Sequence, residues 1–341
     1  MTIKKATNKE SRPVLASIIL IGGMILLLLS MGGSILYGAA DLEWGAIWQS
    51  IYQFDPAITS HQIIRNLRIP RALAAALIGA ALAISGSIMQ GMTRNPLASP
   101  SIMGVTSGAA FMMALALAIT PGASSITMML WAFAGAGLGT GIVFGIGSIS
   151  KTGLTPVKLA LAGTALTAML NSLSSVIVIH FNIAKDLGFW YAGGVSSVQW
   201  IHVKLLAPVV VIGIILAILL AGSITILNLG DDIAKGLGQK TWLVKLAGTI
   251  VVLMLTGAAV SVAGTIGFIG LVIPHITRFL VGINYRWIIP CSAILGAILL
   301  VVADTVSRML NPPFETPVGT VTALIGVPFF LYLARREGRA L

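Results

Sequence analysis

The chain has 341 residues, 57% of them hydrophobic and only 9% charged, and carries a net charge of +11 from 21 Lys+Arg against 10 Asp+Glu. A soluble domain carries about 25% charged residues, so this composition excludes a soluble fold; at about 20 residues per bilayer crossing, the apolar share suffices for roughly ten spans. A single cysteine, Cys291, excludes an internal disulfide and a cysteine-based metal site.

Ten apolar segments follow in chain order: residues 14–37, 72–92, 101–120, 126–149, 157–179, 205–227, 242–262, 266–281, 287–304 and 318–334. The first follows Lys4, Lys5, Lys9 and Arg12. Its apolar run exceeds the roughly 7–15 residues of a signal-peptide core, which marks a retained signal anchor. The eighth is short, holds Pro274 and His275, and ends near Arg278. With both termini inside, 15 of the 21 cations, Lys151 and Arg339 among them, fall in inner connections, as the positive-inside bias requires. The six outside are Arg65, Arg68, Arg71, Lys185, Lys204 and Arg308, and three of these cluster just before the second span.

Small-residue stripes on the second span (Ala72, Ala76, Gly79, Ala83, Gly86) and the fourth (Gly137, Gly141, Gly145) predict close helix packing. The run Gly79-Ala-Ala-Leu-Ala-Ile-Ser-Gly86-Ser-Ile88 returns as Gly257-Ala-Ala-Val-Ser-Val-Ala-Gly264-Thr-Ile266, 178 residues on, with Pro96 falling on Pro274. These spans cross in opposite senses, so the repeat is inverted, the plan of alternating-access transporters. Its halves cover about residues 60–200 and 240–336 of one transmembrane domain, 1–341. Each copy runs into a break: Asn95-Pro-Leu-Ala-Ser-Pro100, and Gly264-Thr-Ile-Gly267-Phe-Ile-Gly270. Irregular backbone at membrane depth must be buried in protein or line a cavity.

The chain has no Gly-Lys dipeptide, hence no phosphate-binding P-loop, and its four histidines lack metalloprotease spacing. Asp304 is the one intramembrane carboxylate, and Arg308 four residues later offers it an ion pair. A stand-alone secondary transporter needs more intramembrane acid, and a membrane enzyme would need a catalytic cluster. Gln90, Asn171, Ser174 and Ser175 lie inside spans and either line a pathway or bond helix to helix.

Arg68-Ile-Pro-Arg71, Gly79 through Gly86, Met89-Gln90, Asn95-Pro-Leu-Ala98, Gly264 through His275, Ala303-Asp-Thr-Val-Ser-Arg308 and Glu315-Thr-Pro-Val-Gly319 occur in the order found in FecCD-type permeases, those of iron–siderophore, haem and cobalamin ABC importers. The chain resembles that family over nearly its whole length. The resemblance implies an all-α polytopic protein with the type II ABC importer permease fold, ten helices per subunit, both termini inside. It also implies a second permease subunit, identical or paralogous, two cytoplasmic ATPases and an extracytoplasmic binding protein, in a bacterial cytoplasmic membrane. No cofactor or metal is bound by this chain, ATP and magnesium being used by the ATPase, and no nucleic acid is a partner. The expected cargo is an iron(III)–siderophore chelate, with cobalamin or haem as the alternative.

By the same resemblance, Arg68, Arg71 and Arg308 dock the binding protein, against headgroup anchoring as the plainer role of an outward cation. Asn95 and Leu97 match an inner gate, where an Asn-Pro turn is the simpler account. Gly230, Asp231, Asp232, Ala234, Leu237 and Gly238 match a loop that couples to the ATPase, with Asp231 and Asp232 suited to a helix start. Gln90 and Asn171 remain candidates for the pathway lining.

Overall fold

The computed structural model describes residues 11–37, 44–149, 156–312 and 314–337. Lys4, Lys5, Lys9, Lys151 and Arg339 lie outside the described residues. Without water, a backbone can satisfy its polar groups only within its own segment, so each apolar run folds as a helix. Fourteen helices follow in order: α1 (Pro13–Leu36), α2 (Trp44–Tyr52), α3 (Thr59–Gln62), α4 (Ile69–Thr93), α5 (Val105–Ile119), α6 (Ser125–Ile149), α7 (Pro156–Phe181), α8 (Ala184–Ala192), α9 (Trp200–Asn228), α10 (Asp231–Gly236), α11 (Thr241–Ala263), α12 (Ile269–Val281), α13 (Tyr285–Met309) and α14 (Val318–Glu337). Seven helical segments are long and apolar enough to cross a membrane, and three shorter apolar helices (α5, α12 and the apolar part of α14) complete ten, the expected number. A π-helical stretch, Ile63–Arg68, joins α3 to α4, so the second span begins well before residue 72.

The two ends of the bundle are defined by contacts. At one, the Arg12 amide donates to Val281 at 3.1 Å, Gln239 Nε2 to the Ser223 carbonyl at 3.0 Å, and the Tyr285 amide to Thr225 Oγ1 at 3.0 Å. This gathers the N-terminus of α1, α10 and the start of α13, and it is the inner end by the cation bias. At the other end the C-terminus of α1 meets the start of α4 and the end of α13.

Packing is reciprocal between the halves. Helix α4 lies against α12 and α13, while α11 lies against α5 and α6. Glycines permit the tightest contacts: a Cβ at Gly79 would collide with the Gly296 carbonyl, and one at Gly86 with that of Gly270. The stripe expected on the fourth span is displaced by two residues. Gly135 and Gly139 of α6 meet Gly108 and Gly104 backbone, whereas a Cβ at Gly137, Gly141 or Gly145 would meet nothing within this chain. Both sets repeat every four residues, so spacing alone did not say which face turns inward.

The breaks lie where expected, with one difference. Residues 264–268 are non-helical, and Phe268 takes φ 68°, a left-handed conformation that bulky side chains rarely adopt. Its ring packs on Gly326 of α14. Ile269 and Gly270, expected in the second break, already belong to α12.

Candidate functional site

At the outer end, the start of α4 and the end of α13 bring three guanidiniums and two carboxylates together. Arg71 Nε and Nη2 donate to Asp304 at 2.9–3.1 Å, and its Nη1 and Nη2 donate to Glu315 at 2.7 and 3.0 Å. Arg308 pairs with Asp304 Oδ2 at 3.4 Å and donates to the Ser34 carbonyl and hydroxyl at 3.0 and 2.7 Å. Arg68 Nη1 donates to the carbonyls of Ile35 and Leu36 at 2.6 and 2.7 Å, placing positive charge on the open C-terminal carbonyls of α1.

Position and side-chain direction differ from the simple outward-facing picture. Arg68 and Arg308 are 7% and 6% exposed, and Asp304 is fully buried. The side chain of Arg71 is 11% exposed, and that of Glu315, at 42%, is the open edge of the group. The exposed outer cations are Arg65, Lys185 and Lys204. Burial follows from pairing, since a guanidinium leaves water only where carboxylates or carbonyls replace its hydration. A cleft of about 320 Å³ opens over Arg71 and Glu315, walled by Phe189 and the Gly193–Gly194 turn.

Near the middle of the bundle, Gln90 is 1% exposed. Its Nε2 donates to the Gly270 and Leu271 carbonyls, each at 3.3 Å, and its Oε1 accepts from Arg278 Nη2 at 2.7 Å. Of the two roles open to it, Gln90 takes the helix-to-helix one in this conformation, fastening α4 to α12. Beside it, Ser99, Ser101, Thr106, Thr256 and Thr265 line a cavity of about 150 Å³ between the two breaks. Thr256 Oγ1 is buried there without a hydrogen-bond partner among the described residues.

Asn171 and Ser175 are exposed on α7, with Thr164 two turns back on the same face, whereas Ser174 is buried and bonds its own helix. The open surface of α7 is mixed, with Leu161, Val176 and Ile179 exposed beside these polar groups. Asn171 and Ser175 also border a cleft of about 370 Å³ closed by Tyr191.

At the inner end, Asn95 Oδ1 accepts from the Leu97 amide at 2.9 Å, and the Asn95 carbonyl accepts from Ala98 at 3.1 Å. This is a capped Asn-Pro turn, with Leu97 half-buried above the inner surface. Gly230, at φ 132°, ends α9 and releases α10. Asp231 pairs with Lys245 at 2.6 Å, and Ala234 is the buried anchor. Asp232, Ile233, Leu237 and Gly238 are exposed, with Ile233 at 54% and Leu237 at 66%. Two large apolar side chains on a charged helix outside the spans form a docking-type surface.

Sequence reasoning did not single out Ser34, Glu315 as a partner of Arg71, or the Phe268–Gly326 contact. Glu315 left a trace as part of the run ending at Gly319, and Phe268 as part of the break from Gly264 to Gly270.

Among the described residues, seven apolar helices long enough to cross a membrane, three shorter apolar ones and two breaks in the helical backbone define a multi-pass membrane protein. The chain belongs to the FecCD transport family, whose model matches residues 24–336. It is 61% identical over 340 residues to the iron(3+)-hydroxamate import system permease protein FhuB of Bacillus subtilis, covering 100% of this chain and 88% of the relative. It is 52% identical to the iron-uptake system permease protein FeuB of the same organism, covering 94% and 96%. A metal-chelate type ABC transporter solved in an inward-facing conformation superposes with a TM-score of 0.83 at 30% identity, covering 94% of this chain and 99% of that one.

Proposed function

We propose that this chain is the permease subunit of an ABC importer for iron(III)–siderophore chelates of the hydroxamate class in a bacterial cytoplasmic membrane. The observation that carries the reading is 61% identity over 340 residues to an iron(3+)-hydroxamate import system permease protein. The permease does no covalent chemistry. It pairs with a second permease subunit, identical or paralogous, and two cytoplasmic ATPases supply the energy with their own ATP and magnesium. No cofactor is held by the permease itself.

Docking of the chelate-loaded binding protein falls to the Arg68, Arg71 and Arg308 cluster, with Arg71 the reachable cation and the other two holding it in place. A partner carboxylate would engage Arg71 in exchange with the part-exposed Glu315, which would steer association and fix register. Asn95 and Leu97 shape the inner constriction. The α10 surface, with Ile233 and Leu237, inserts into the ATPase. Asn171 and its neighbours on α7 line the pathway formed with the second subunit. The sparse charge of that face suits a bulky chelate over a bare cation, which would demand carboxylate or imidazole ligands.

The substrate class is tested by ATPase stimulation in the complete reconstituted complex. Binding protein loaded with ferric hydroxamate should stimulate hydrolysis, and loading with haem or cobalamin should not. Equal stimulation by all three would reject the hydroxamate assignment.

A further inference from the structure

Helix α9 presents a different open face from α7. Ile212, Ile215 and Leu219 are exposed along it, at 52%, 52% and 72%, with no polar side chain between them. An open face of aliphatic side chains alone suits contact with lipid. Its 29 residues span about 43 Å, against about 30 Å of hydrocarbon, so its last turns reach headgroup depth. There the face opens into a groove of about 600 Å³ where the start of α13 crosses it, walled by Ile218, Leu219, Gly222, Ser223, Asn284 and Arg286.

The groove has a cation with no counter-charge. Arg286 is exposed, and its guanidinium makes no hydrogen bond or ion pair among the described residues. The group lies over Gly222, where an added Cβ would stand 3.5 Å from Nη2. Asn284 Oδ1 is used by the Arg286 amide at 3.0 Å, which leaves its Nδ2 donors for a ligand. Trp287 follows directly, a residue type that favours the membrane interface. The inner leaflet is the anionic one, and a basic pocket beside an apolar span on that side matches a lipid phosphate with its chain attached.

We propose that this groove holds one anionic phospholipid of the inner leaflet, its phosphate on Arg286 and Asn284 and one acyl chain along Leu219 and Ile215. A second copy of the chain is a poorer occupant, because the exposed side chains of α9 leading into the groove, Ile212, Ile215 and Leu219, are all aliphatic and give no anchor to register it.

The test is native mass spectrometry of the purified full-length permease with dioleoyl phosphatidylglycerol or dioleoyl phosphatidylcholine added. One phosphatidylglycerol should be retained in preference to phosphatidylcholine. Arg286→Gln should weaken that retention about fivefold, the scale of one basic residue at a charged leaflet. Gly222→Leu, which fills the groove without removing charge, should weaken it too, while Lys235→Gln on the same inner face should not. Millimolar inorganic phosphate should fail to displace the lipid. Equal retention of the two lipids, undiminished retention in Arg286→Gln, or displacement by phosphate would each overturn the proposal.

Discussion

Asp304 is the residue on which the outer cluster turns. It is fully buried between Arg71 and Arg308, and without it two guanidiniums would share a pocket with no buried counter-charge. Asp304→Asn should therefore cost about 3–5 kcal/mol, the scale for breaking a buried pair by removing one partner, read as a lower thermal unfolding midpoint. Glu315 behaves differently. Its carboxylate is part-exposed and occupies the donors of Arg71 that face the outside. If the binding protein docks through Arg71, its carboxylate must displace Glu315, so Glu315→Gln should tighten binding-protein affinity about two- to fivefold with little loss of stability. Weaker binding in that variant would make Glu315 a positioning residue instead. The sequence marked these arginines as exceptions to the cation bias but not as buried. The Arg308–Asp304 pair was legible at four-residue spacing, but the carboxylate partners of Arg71 stand 233 and 244 residues away, beyond any local pattern.

Helices were the most legible level, because a bilayer sets one length and demands apolarity along it. The ten segments emerged for that reason. What blurred was where apolar chain stops being helical: α12 has only 13 residues because residues 266–268, counted in the eighth apolar segment, form irregular backbone. Helices α2 and α8, nine residues each, were too short to show a period. Glycine spacing misled on α6 and informed on α4. Gly86→Leu should therefore separate α4 from α12 and lower the yield of folded protein, since its Cβ has only the Gly270 backbone to meet. Gly137→Leu should leave yield and unfolding midpoint near wild type, as its Cβ meets open space within the chain. Circular dichroism melts of the two variants compare them directly, and equal destabilisation would contradict this packing.

For the whole molecule, the +11 charge has two explanations rather than one. Most cations lie inward and orient the bundle, while the buried outer arginines are consumed in a local ion network. Among the described residues, the carboxylate within a span, Asp304, is committed to two arginines, which supports the proposal that partner subunits supply the energy for transport. The most direct measurement is uptake of a ferric hydroxamate into proteoliposomes holding the permease, with binding protein outside and ATP within. Uptake should appear only when the ATPase subunits are co-reconstituted and should stop when ATP is withheld. Accumulation by the permease alone would contradict the account.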